Sequence, residues 1–137
     1  MECGNHVKDV VECKISRVIE CAMRVRRALS AGFLESVYRN ALLIELRAYG
    51  FHAEMEVPVE VRYKGEIVGQ FRADIIVDGE IIIELKSVQT LSVAHEAQLV
   101  NYLTATGIDN GLLINFGSDI IQIKRKYRLY HHSSKSR

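Results

Sequence analysis

The chain has 137 residues, 48% of them hydrophobic and 26% charged, with a formal net charge of +1. That suits one compact domain able to bury roughly two thirds of its unfolded surface without disulfides, so residues 1–130 are expected to form a single domain and 131–137 a basic tail. No apolar run reaches the roughly 20 residues of a membrane span, and acids and bases alternate from Glu2 to Arg17 where a signal peptide would be apolar, so a cytoplasmic protein is expected.

In chain order, Val7, Val10, Val11, Ile15, Val18, Ile19, Ala22 and Val25 recur near the helical period and predict a helix over 7–29. It holds Cys13 and Cys21, which together with Cys3 show no zinc spacing and read as reduced thiols. "SAGF" (30–33) breaks the pattern, and a second helix is expected from Phe33 to Tyr49, stopped by Gly50. "HAEMEVPVEVRYKG" sets Met55, Val57, Val59 and Val61 against charged residues, a strand with one wet face. Lys64-Gly65 turns it into "EIVGQFRADIIV", and Asp78-Gly79 turns that into "EIIIELKS". A third helix runs from Leu91 to Thr106, started by Thr90 or Ser92 and ended by Gly107. The strands "GLLINF" and "DIIQIKRKY" follow. The order ααβββαββ predicts an α/β fold, a mixed sheet flanked by helices.

Arg24, Arg26 and Arg27 form one basic cluster, and Lys124, Arg125, Lys126, Arg128, Lys135 and Arg137 a second. Two basic ends around a more acidic middle fit a polyanion, and a solvated tail explains the last residues equally well.

The strand "IIIELKS" carries Glu84 and Lys86 inside an apolar run. Two residues apart on a strand, they share a face. A charge in a dry core costs several kcal/mol or more, roughly, without a partner, so the two either satisfy each other or face something ionic. Asp74, on the preceding strand, joins them only in one register. A two-residue loop at Asp78-Gly79 would set Asp74 opposite Ile83; a three-residue loop or a bulge sets it opposite Glu84, and that register is expected. Two adjacent carboxylates need a cation or a proton. A hard divalent cation satisfies both, and Mg²⁺ takes one or two carboxylates together with waters and phosphate oxygens. Metal-assisted hydrolysis of a phosphodiester is the chemistry this predicts.

Asp74 followed by Glu84-Leu85-Lys86 resembles the D…(D/E)xK signature of the PD-(D/E)XK nuclease superfamily. "GFLESVY" (32–38), with Gly32, Glu35 and Tyr38, resembles the family named for its GxxExxY motif. "QLVNY" (98–102) resembles the QxxxY motif of the RecB-like and lambda-exonuclease-like branch. The residue before the aspartate, often proline in the superfamily, is Ala73 here. The resemblance implies a restriction-endonuclease-like core and a Mg²⁺-dependent nuclease, with Mn²⁺ as a substitute and DNA, alternatively RNA, as substrate. It implies that Asp74, Glu84 and the Leu85 carbonyl bind the metal and that Glu35 completes the site. Lys86 would position the attacking water; Gln98 and Tyr102, one helical turn apart, would hold Lys86 or a substrate phosphate. His95 lies on the same side as Gln98. A homodimer gripping a duplex is a further expectation.

Other readings of the same residues stand beside this one. Glu84 and Lys86 suit an internal salt bridge; Glu35 suits an exposed helix start favoured by the dipole; Tyr38 suits the core. Gln98 and Tyr102 suit a core edge, and Gly32 a hinge. The alternative function is a nuclease-fold module that binds nucleic acid or a protein with little or no catalytic activity.

Overall fold

The computed structural model describes residues 7–129, so Cys3, Lys135, Arg137 and the expected tail lie outside the described residues. Its elements are α1 (Val7–Ala28), α2 (Glu35–Tyr49), β1 (Ala53–Tyr63), β2 (Glu66–Val77), β3 (Ile81–Lys86), α3 (Val93–Thr106), β4 (Asn110–Asn115) and β5 (Gln122–Tyr127). This is the expected ααβββαββ order. The five strands lie in the order β1-β2-β3-β4-β5. β3 and β4 are parallel, joined by α3, and every other neighbouring pair is antiparallel.

Helices cover both faces of the sheet. Val18, Ala22, Val25, Tyr38, Leu42 and Leu46 of α1 and α2 pack on Ile75, Val77, Ile81, Ile83, Leu85 and Leu112. Leu99, Tyr102 and Leu103 of α3 pack on Val59, Ala73, Ile76, Ile82 and Leu113. Ile81 to Ile83 and Leu85 are all fully buried, because β3 is sandwiched between the two layers.

The helix starts differ from expectation for a local reason. α2 begins at Glu35, not Phe33, since the Phe33 N–H donates to the Tyr38 hydroxyl and its carbonyl accepts from Ser87 Oγ. α3 begins at Val93 because Ser92 is its N-cap: Ser92 Oγ accepts the His95 N–H, and His95 Nδ1 accepts the Ser92 N–H in return. Gly50 and Gly107 end α2 and α3 in the left-handed region, as expected. β5 begins at Gln122 because Arg26 holds the Ser118 and Asp119 carbonyls in a loop. Cys21 is a free buried thiol. Cys13 is disulfide-bonded, which corrects the expectation of reduced thiols: spatial proximity, not sequence spacing, decides which sulfurs meet.

The β2–β3 connection sets the register. Asp78 and Gly79 have φ of 53° and 67°, and the Glu80 N–H donates to the Val77 carbonyl. Glu80 is the third loop residue, so Val77 pairs with Ile81 and Ile75 with Ile83, and Asp74 comes opposite Glu84. Lys14 of α1 bridges Asp78 and Glu80 at 2.9 and 2.6 Å and clamps this turn.

β1 and β2 depart from simple alternation. Ala53, Ile75 and Val77 face α1 and α2, whereas Val57, Val59 and Ala73 face α3. Both strands change face between these residues, at Glu56 and Asp74, and Glu56 has a left-handed φ of 50°. Met55 is consequently 44% exposed, not on the dry face the alternation predicted.

Candidate active site

The β2–β3 ladder stops at Ile75–Ile83. Beyond it the acid side chains take over from backbone carbonyls: the Asp74 N–H donates to Glu84 Oε2 and the Leu85 N–H donates to Asp74 Oδ2, both at 2.8 Å. The N–H and C=O of one strand residue point to the same side, so the Leu85 carbonyl also faces this gap. The two carboxyl groups share a pocket in which Glu84 is only 4% exposed.

Burial raises the Asp74 carboxyl, against the Leu85 N–H and the charges of Lys86 and Arg39. Burial and then the Asp74 charge push Glu84 up to about 8, against the Asp74 N–H and Lys86. Without a cation the pair therefore holds a proton near neutrality.

Lys86 does not neutralise the acids directly. Among the described residues no ion pair joins it to Asp74 or Glu84; its Nζ donates to Gln98 Oε1 at 3.3 Å. The internal salt-bridge reading lacks its bond. Tyr102, one turn along α3, is buried against Phe71 with ring centroids 5.7 Å apart. Burial, with the charges of Glu84 and Asp74, raises its hydroxyl.

Glu35 opens α2 at the rim of this pocket. It is solvent-accessible, yet the surrounding protein raises its carboxyl, with Asp74 adding to that and Lys86, Arg39 and His95 opposing it. The fold thus brings Glu35, Asp74, Glu84, Lys86, Gln98 and Tyr102 to one end of the sheet. Among the described residues no group of three His, Cys, Asp or Glu side chains is placed to hold an ion. Two carboxylates and a backbone carbonyl, all hard oxygen donors, fit Mg²⁺ completed by water.

Gly32 and Tyr38 act through architecture. Tyr38 is fully buried and stacked on Phe116 at 4.7 Å; its hydroxyl donates to the Ser30 carbonyl at 2.6 Å. Gly32, at φ 117°, lets the loop turn between those anchors. The core reading of Tyr38 holds, and its hydroxyl also ties the loop that leads into α2. Tyr38→Phe keeps the ring and removes both hydroxyl bonds, so a loss of about 1–3 kcal/mol is expected in urea unfolding, with the α2 start loosened.

Three contributors escaped the sequence reading. Asn115 is fully buried, and its Oδ1 accepts from the Val88 and Gly117 N–H groups, holding the chain that leaves Lys86. As the one polar residue in "GLLINF" it carried a signal. Gly117 has no room for a side chain, since a Cβ would sit 2.4 Å from the Val88 nitrogen. Arg39, one turn beyond Glu35, acts on both Asp74 and Glu35. Part of the second basic cluster, conversely, is engaged: Arg125 pairs with Glu12, Lys126 with Glu96 and Arg128 with Asp109, each at 2.9 Å, whereas Arg24 of the first cluster reaches Glu45 only at 3.7 Å.

A mixed sheet in which an Asp and a Glu of adjacent strands meet where the ladder between them stops, with Lys two residues on and a helical Gln and Tyr nearby, defines a restriction-endonuclease-like α/β protein. The family model of the PD-(D/E)XK nuclease superfamily matches residues 12–128, and the chain belongs to that superfamily. No curated protein matches it. The crystal structure of SSO0001 shares the fold, with a TM-score of 0.58 and 24% identity over 72% of this chain and 52% of that one. The chain thus spans about half the length of that protein. Among the described residues no helix is long and apolar enough to cross a membrane.

Proposed function

We propose that this protein is a Mg²⁺-dependent nuclease that hydrolyses phosphodiester bonds of DNA, of the GxxExxY kind and the RecB-like branch. The observation that carries the reading is the Asp74–Glu84 pocket, where a half-buried and a buried carboxyl group meet and Lys86 stands by unpaired with either. Asp74, Glu84 and the Leu85 carbonyl would hold the ion. When bound, such an ion supplies charge stabilisation at the phosphate and a more acidic water. Lys86, steadied by Gln98, orients the attacking water and holds the developing charge beside it. Tyr102 closes the pocket on the α3 side. Glu35 would complete the site directly or through water. The GxxExxY assignment is supported by the Tyr38 hydroxyl, which ties the loop between Ser30 and Phe33 that holds Gly32 and leads into Glu35, and the branch assignment by the Gln98–Lys86 bond.

The test is a metal titration on plasmid, single-stranded DNA and RNA, with Mg²⁺ and with Mn²⁺. Cleavage of DNA that disappears with EDTA is expected. Wild-type protein that binds DNA but leaves every substrate intact with either metal would replace this reading with a binding module.

A further inference from the structure

Among the described residues, Arg39 is a cation of α2 whose charge acts on both Glu35 and Asp74 and whose ion pair is a long one. Its side chain is 19% exposed, and its ion pair with Glu56 is a single contact of 3.4 Å to a carboxylate that is itself 48% exposed. Such a long contact is weak. Among the described residues its Nε is buried with no hydrogen-bond partner. The same is true of Nε in Arg17, Arg26 and Arg125. Those three guanidinium groups, however, each make a bond of 2.7 to 3.0 Å at their tips. Arg39 has no comparable bond among the described residues.

Glu56 is unusual in its own right. The register puts it beside Asp74, between the Met55–Ile75 and Val57–Ala73 pairs. Its φ of 50° is a conformation a glutamate seldom adopts, and such strain gathers where a site demands a particular side-chain placement. The pocket also has a charge problem. Glu35, Asp74 and Glu84 are three acids, and Lys86 is held toward Gln98. An approaching phosphodiester needs a positive group other than Lys86, and a guanidinium grips phosphate oxygens in a fixed fork.

We propose that Arg39 is a phosphate-binding residue of this site, parked on Glu56 in the free protein and transferred to a backbone phosphate of the nucleic acid when it binds. The proposal rests on the nuclease reading above. Glu56 serves as a stand-in anion that keeps the guanidinium from collapsing onto Asp74.

The experiment compares binding of a fluorescent DNA duplex by anisotropy, with Mg²⁺ present, in protein carrying Lys86→Ala so that the duplex stays intact. Adding Arg39→Gln is expected to weaken binding about tenfold, the size of a lost charge-assisted contact. The slope of log K against log salt should become shallower by about 0.9, the signature of one phosphate contact in duplex DNA. Arg39→Lys should keep most of the slope while losing part of the affinity. Glu56→Gln should tighten binding, because the competing anion is gone. A merely structural Arg39–Glu56 pair makes the opposite forecast: Arg39→Gln and Glu56→Gln would then shift binding and melting temperature in the same direction. If Arg39→Gln fails to fold, Arg39→Lys and Glu56→Gln carry the comparison. Unchanged affinity and slope in Arg39→Gln, with the parent binding DNA, would overturn this proposal and leave the nuclease reading intact. A wild type that neither binds nor cuts DNA would overturn both.

Discussion

Asp74→Asn is expected to reduce Mg²⁺-dependent cleavage by roughly a thousandfold or more, while the protein stays folded. The asparagine Oδ1 can still accept the Leu85 N–H that Asp74 Oδ2 accepts at 2.8 Å, so the local backbone keeps its bond. What disappears is one of the two negative charges available to a cation. Metal-supplied stabilisation of a phosphoryl transition state is worth several kcal/mol, and about 1.4 kcal/mol is a factor of ten. Lys86→Ala should lower the rate by a similar order through a different route. It leaves the carboxylates intact, so Mn²⁺ binding by calorimetry should survive in Lys86→Ala and weaken sharply in Asp74→Asn. Equal metal affinity in the two variants would contradict the assignment of Asp74 to the ion and Lys86 to the water. A nuclease assay and a titration on the same preparations separate these outcomes.

Glu84→Gln is expected to stabilise the metal-free protein above neutral pH and to abolish its activity. Glu84 is raised by burial and by Asp74 to about 8 in the folded state, against an ordinary value of 4.5. The folded chain therefore binds more protons than the unfolded chain between those values. Stability contributed by this proton is fully present below about pH 4.5 and is lost as pH rises through about 8. Asp74 is shifted in the same direction and adds to the trend. In EDTA, wild type should lose on the order of a few kcal/mol between pH 5 and 9, roughly 5–15 °C in melting temperature. Mg²⁺ or Mn²⁺ should restore much of that loss at high pH by taking the place of the proton. Glu84→Gln keeps an oxygen for the Asp74 N–H and can donate its amide to Asp74, so its curve should be flatter and insensitive to the ion. A wild-type profile parallel to that of Glu84→Gln, with and without metal, would mean that the pocket does not concentrate charge as described.

Much of this architecture is written in local pattern. The helical repeat from Val10 to Val25, the β-branched run of β3 and the stops at Gly50 and Gly107 are short-range signals, and the elements follow them closely. Asp78-Gly79 marks the turn, but two left-handed residues in a row by themselves suit a two-residue hairpin; that Glu80 is a third loop residue, clamped with Asp78 by Lys14, is a tertiary outcome. The expected register, with the acids opposite each other, rests on a bulge that the dipeptide allows and does not dictate. The family signature of the acids was legible, since D…ExK and QxxxY name residue types at spacings that a strand and a helix convert directly into shared faces.

Other features depend on partners far apart in the chain, and no local pattern encodes them. The change of face at Asp74 needs β1 and β2 to kink together at Glu56, twisting both carboxyl groups into the gap beyond the last ladder pair. The start of α2, and with it the place of Glu35, is fixed by the Tyr38 hydroxyl and Ser87. Several of the basic residues turned out to be paired with Glu12, Glu45, Glu96 and Asp109, between 19 and 113 positions away in the chain. Side-chain charge is a property of sequence, but whether it is spent depends on what the fold sets within a few ångströms. Composition and period therefore specified the sheet, its helices and the residues of the pocket, whereas packing alone determined which of those charges remain available for a metal and a phosphate.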